Sequence, residues 1–131
     1  MLDLYTLIAY DGAVSRPPVT VTETPLFVQK AAAIFDEDER AELITFVAWN
    51  PEAGDVIPGT GGVRKLRWAA KGKGKSGGAR VIYYFHNESM PVFLLSACAK
   101  SKKVNLSGAE RNALRKLAPL LVRGYLRGSV Q

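Results

Sequence analysis

Residues 63–86 read VRKLRWAAKGKGKSGGARVIYYFH, two runs rich in β-branched and aromatic residues on either side of a glycine-lysine loop. Runs of this kind, bounded by glycine, read as strands. The stretch therefore predicts strands over Val63–Ala70 and Ala79–His86, joined by a basic loop over residues 71–78. Within that loop Gly74, Lys75 and Ser76 match the end of a nucleotide-binding P-loop. The full motif needs a glycine five positions earlier and a helix afterwards, so that backbone N–H groups curl around phosphates. Ala69 stands where the glycine should be and a strand pattern follows. The positive charge of the loop has to be explained otherwise.

Working outward, Pro91–Ala99 (PVFLLSACA) reads as a third strand, hairpinned to the second through a short turn around Asn87 and Glu88. Upstream, GDVIPGTGG from Gly54 reads as a loop punctuated by glycine and proline. Val19–Thr24 (VTVTET) alternates strictly and is expected to be a strand. Pro25 suits the first turn of a helix that aligns Phe27, Ala31, Ile34 and Phe35 on one face. Asp36 with Glu39 forms a capping-box pattern before Leu43, Phe46, Val47 and Asn50, and Pro51 ends that helix. The acidic cluster of Asp36–Glu39 with Glu42 reads as a solvated first turn that complements the helix dipole. Ser107 and Glu110 repeat the capping pattern before Leu114, Leu117, Ala118 and Leu121, and Pro119 should kink that helix or start a second one.

A strand, a helical hairpin, three strands and a final helix describe an α+β domain with the helices on one face of a small sheet. The other face is then left for function. Residues 1–18 end in SRPP and read as an N-terminal extension carrying an extra strand at Leu4–Tyr10; residues 19–131 form the domain.

At 131 residues the chain suits one core. Its hydrophobic content of 47% with 23% charged residues fits a globular protein. The single Cys98 excludes an internal disulfide and reads as a buried core thiol in a cytoplasmic protein. One cysteine and one histidine, His86, cannot build a zinc site, and neither a metal nor another cofactor is expected. The start MLDLYTLIAYDGAV lacks a basic lead and has only a short, interrupted apolar stretch, so neither a signal peptide nor a membrane span is expected.

The net charge of +6 implies an acidic partner. Seven basic residues (Arg64, Lys65, Arg67, Lys71, Lys73, Lys75 and Arg80) lie in 64–80 without one carboxylate, whereas surfaces normally mix both signs. Strand alternation sends Lys65 and Arg67 to one face and Arg64 to the other. Lys71, Lys73 and Lys75 alternate with glycine, which lets ammonium groups and backbone N–H groups approach phosphates. A second group, Lys100, Lys102 and Lys103, follows the last strand and lies beside the first if the strands pair. Trp68, Tyr83 and Tyr84 offer rings for base stacking, although burial in the core is the more usual fate of such residues. An RNA-cleaving site built this way needs no metal, because the 2′-OH of RNA attacks the adjacent phosphate if a base, cations and a proton donor are supplied.

VTVTETPLF, the block from NPEAGDVIPGTGG through VIYYF, LLSACAK and LSGAERNALRKL together resemble a HigB-type toxin of the RelE/ParE superfamily over residues 19–118. The resemblance implies a RelE-like fold, a small twisted, mainly antiparallel sheet with an N-terminal helical hairpin and a C-terminal helix. It implies a toxin of a type II toxin-antitoxin system that cleaves mRNA on the ribosome without a metal and stops translation. Lys65, Arg67, Arg80 and Lys100 match the family's catalytic positions. Arg67 and Arg80 would hold the phosphate, and Lys65 or Lys100 would move the proton. Arg64, Lys71, Lys73, Lys75, Lys102 and Lys103 would contact RNA or the ribosome. The implied partner is a HigA-like helix-turn-helix antitoxin. Cys98 departs from the tyrosine frequent in relatives. Two other readings compete: a ParE-like toxin that inhibits DNA gyrase without cutting RNA, and a non-catalytic RNA-binding module.

Overall fold

The computed structural model describes residues 17–69, 78–99 and 106–129. The first strand, β1 (Val21–Glu23), runs into helix α1 (Pro25–Ala32). Thr24 sits at the junction, where its hydroxyl accepts from Phe27 N–H at 3.3 Å and donates to Leu94 O at 2.9 Å. One side chain thus caps the helix and ties it to the sheet. Helix α2 (Glu37–Trp49) starts on the expected capping box, with Glu39 N–H to Asp36 Oδ1 at 2.7 Å and Asp36 N–H to Glu39 Oε1 at 2.9 Å.

The remaining strands are β2 (Asp55–Val56), β3 (Val63–Trp68), β4 (Ala79–Tyr84) and β5 (Val92–Ala99), followed by α3 (Gly108–Ser129). They form a five-stranded sheet in the order β1-β5-β4-β3-β2. Only β1 and β5 pair in parallel. The fold is α+β with a mixed, mainly antiparallel sheet, as expected.

Alternation along β4 divides the interior into two cores. Val81 and Tyr83 join Phe27, Ala31, Leu43 and Val47 of the helical hairpin. Ile82 and Tyr84 join Val63, Phe93, Leu95 and Ala118 under α3. The expectation of all helices on one face is therefore corrected: α3 covers part of the opposite face, because Leu114, Leu117, Leu121 and Val122 present an apolar stripe that needs a partner. Pro119 does not divide that helix, which is helical throughout Gly108–Ser129. Proline has no N–H for the carbonyl of Arg115. Packing of Ala118, Leu121 and Val122 on either side of it holds the helix together.

The segment after Gly54 was expected to be a plain loop, yet Asp55 and Val56 pair with Lys65 and Arg64 as an edge strand. Two residues are too few for a periodic pattern to show. The hairpin is fastened from beneath by the buried Tyr83, whose hydroxyl accepts from Gly54 N–H at 2.8 Å and donates to Pro51 O at 2.8 Å. A Cβ on Gly54 would lie 2.8 Å from Lys65 O and 2.9 Å from the Tyr83 ring, so only glycine fits. Trp68 tilts against Phe46 with ring centroids 5.1 Å apart, and Tyr83 and Tyr84 are buried, so these three rings serve the cores.

Burial raises the Tyr83 phenol above its ordinary pKa. Its unfolded value is near 10. A neutral phenol is therefore favoured by folding below about pH 10, and this stabilisation is lost as pH rises through the higher folded value. Tyr83→Phe should lower the unfolding free energy by about 1–3 kcal/mol, because Gly54 N–H and Pro51 O lose their buried partner. Urea titrations should show this loss at neutral pH and a weaker fall of stability above about pH 10 in the variant than in the parent.

Candidate functional site

On β3, Val63 lies in the α3 core while Leu66 and Trp68 pack against the other core. Alternation then puts Lys65 and Arg67 on the α3 side of the sheet, and both are exposed. The register aligns these residues in two rows. In one row Arg67 faces Arg80, which faces Cys98; in the other Lys65 faces Ile82, which faces Ser96. Directly opposite side chains in an antiparallel pair have Cβ atoms about 4.5–5.5 Å apart. Lys65, Arg67 and Arg80 therefore come together on one face.

The Arg67–Arg80 pair opposes like charges, which destabilises a sheet. Arg80 Nη1 is shielded from solvent and has no hydrogen-bond partner among the described residues. A guanidinium nitrogen left in this state carries a desolvation cost that folding does not need. An anion between the two arginines would remove both the repulsion and the missing bond. Arginine is suited to that anion being a phosphate, which its planar fork binds through two oxygens.

Cys98 joins this row through an irregularity. Tyr83 pairs with Leu94 but Ile82 pairs with Ser96, so Leu95 is an extra residue in β5. The bulge places both Leu95 and Ser96 on the α3 side, and Cys98 with them. Cys98 is consequently only half-buried, not the core thiol expected. Strict alternation from Leu95 would have turned it to the other face, and nothing in LLSACA signals the bulge. Beside the row, Ile82, Ser96 and Cys98 form one wall of an apolar groove of about 620 Å³, closed on its far side by Leu114 and Leu117 of α3.

Arg64 stands apart from the row. Its Nη1 donates to Gly54 O at 2.7 Å and to Glu52 O at 3.1 Å, and Nη2 lies 4.0 Å from Glu52 Oε2. These contacts cross-brace the hairpin held by Tyr83. Lys71, Lys73, Lys75, Lys100, Lys102 and Lys103 lie outside the described residues. Trp68, Ala79 and Ala99 are aligned at one end of the sheet, so the chain leaves β3 and β5 from the end nearest Arg67 and Arg80. Among the described residues no group of three or more His, Cys, Asp or Glu could hold a metal ion, and no helix is long and apolar enough to cross a membrane.

Arg64 also has one shielded nitrogen without a partner among the described residues, Nε, but its Nη1 is engaged by two carbonyls, so the two arginines differ in what they do for folding. Arg64→Met should lower the unfolding free energy by about 1–3 kcal/mol, since two carbonyls lose a charged donor. Arg80→Met should leave it unchanged or raise it, since a like-charge contact and an unpartnered nitrogen disappear. Urea denaturation of the pair reads the contrast, and a loss for Arg80→Met equal to that for Arg64→Met would make Arg80 a structural residue.

A family model described as the RelE toxin of the RelE/RelB toxin-antitoxin system matches residues 54–125, more than half of the chain. The match begins at the glycine held by Tyr83, spans β2 to β5 with Lys65, Arg67 and Arg80, and continues into α3. Family membership implies an antitoxin partner. The chain belongs to the RelE toxin family of toxin-antitoxin systems.

Proposed function

We propose that this toxin is a ribosome-dependent mRNA endoribonuclease of the HigB type, acting in the cytoplasm and held in check by a HigA-like helix-turn-helix antitoxin. Toxins of this family are typically endoribonucleases. The observation that carries the reading is the row itself, in which Arg67 faces Arg80 and Arg80 Nη1 is shielded and without a partner among the described residues. That arrangement supports a phosphate as the missing group, and Lys65 stands on the same face one row along.

In the proposed reaction the 2′-OH attacks the adjacent phosphorus. The new 2′-O–P bond forms as the P–O5′ bond breaks, giving a 2′,3′-cyclic phosphate and a 5′-hydroxyl. Arg67 and Arg80 hold the phosphate and oppose the charge that grows on its oxygens. Lys65 or Lys100 takes or supplies the proton. Arginine is too basic to share that role. Lys71, Lys73, Lys75, Lys102 and Lys103 provide further phosphate contacts. Arg64 was expected among these contacts, but its hydrogen bonds to Gly54 O and Glu52 O favour a supporting role in the hairpin.

The test is to incubate the protein with ribosomes carrying a defined mRNA and to map new 5′ ends by primer extension, beside free mRNA and an Arg80→Ala variant. Cleavage should occur in the A-site codon on ribosomes only. Arg80→Ala should slow it by about 10²–10³-fold, the usual cost of removing one preorganised donor from a developing oxyanion. Uncut mRNA with translation blocked would replace the nuclease by a non-catalytic RNA-binding protein, and uncut mRNA with translation intact would turn the reading toward gyrase.

A further inference from the structure

Helix α3 carries a second set of cations on the side away from the sheet. Lys116, Arg123 and Arg127 are all exposed. At 3.6 residues per turn the three fall within an arc of about 40°, with about 10.5 Å of rise between the first two and about 6 Å between the last two. Leu114, Leu117, Ala118 and Leu121 point the other way, into the core beneath. At that spacing the three cations share one stripe on the side of the helix away from the core.

Folding does not account for the stripe. No carboxylate pairs with these three among the described residues, and no Asp or Glu side chain occurs after Glu110. The helix dipole explains Arg127 alone, since its influence fades beyond the last turn. Two other arginines of α3 are engaged locally: Arg111 donates to Pro58 O at 3.0 Å and Arg115 bonds to Asn112. The three in the stripe have no such task.

Its direction matters as much as its charge. Helix α3 packs on the same sheet face that carries Lys65, Arg67 and Arg80, so its outer ridge faces the same side of the molecule as the row. A large polyanion that reached the row from solvent would meet the stripe as well. We infer that the outer ridge of α3 is a second RNA-docking surface, which takes the phosphate backbone of folded RNA on the ribosome while the sheet takes the scissile phosphate. The inference rests on the nuclease reading above and adds the surface by which the ribosome itself is gripped. Cations spaced along a rigid helix suit a regular phosphate backbone and carry no base preference.

The experiment uses the full chain with Arg80→Ala, so that cleavage does not consume the RNA, with and without K116Q/R123Q/R127Q. Affinity for ribosomes by co-sedimentation, and for a short RNA duplex by anisotropy, is measured across a salt series. Far-UV circular dichroism confirms that both proteins are folded. The triple variant should bind ribosomes at least about tenfold more weakly, and the slope of log K against log salt should become shallower by about 2–3, the release expected from three phosphate contacts. Measurable binding to ribosomes with equal affinity and slope for the two proteins would overturn the inference, whatever the duplex shows. Stripe-dependent binding to the duplex without any binding to ribosomes would keep the RNA surface and discard the ribosomal reading of function. Unchanged RNA binding with weakened binding to polyglutamate would assign the stripe to an acidic protein and overturn the inference.

Discussion

The hydroxyl of Tyr83 is the point through which this fold reaches its site. It lies at the bottom of the core formed with the helical hairpin, yet it bonds Pro51 and Gly54 of the segment that begins the β2–β3 hairpin. Arg64 braces the same segment from β3, through Gly54 O and Glu52 O. Lys65 and Arg67 are neighbours of Arg64 on that strand, and their aim depends on the hairpin holding its register. A core tyrosine two strands from the edge therefore fixes where the cations of the open face stand.

Division of labour between the two faces follows from this arrangement. One face is filled by α1 and α2 and closes over the larger core. The other is covered by α3 over Val63, Ile82, Tyr84, Phe93 and Leu95, and Arg67 at the end of the row is exposed. The like-charge contact in that row is tolerated because the rest of the sheet over-determines β3 and β4. Such local costs, borne by surrounding structure, are common where a protein is shaped for a ligand.

Much of this was legible in the sequence wherever a local signal existed. The pairs Asp36/Glu39 and Ser107/Glu110 both formed the capping boxes they spell. The β-branched runs around the lysine loop became β3 and β4, and alternation alone separated Arg64 from Lys65 and Arg67. What escaped reading was non-local. Partner choice put β1 alongside β5 and α3 on the far face, and neither is written in any short window. The structural duty of Arg64 depends on a loop brought next to it by Tyr83. The ridge of Lys116, Arg123 and Arg127 is written at helical spacing, but no short window shows that α3 lies on the face that carries Lys65, Arg67 and Arg80.

The extra residue in β5 has a meaning beyond its geometry. Before Leu95 the strand's inward and outward sides are set by what the two cores require, and after it the phase is reversed. β5 thus behaves as two short strands of opposite parity spliced end to end. The half that packs Phe93 and Leu94 can be tuned for stability while the half carrying Ser96 and Cys98 is tuned for what meets Arg80, with no change in either propagating as a shift of register. A splice of this sort gives a small domain two independently adjustable surfaces on one strand.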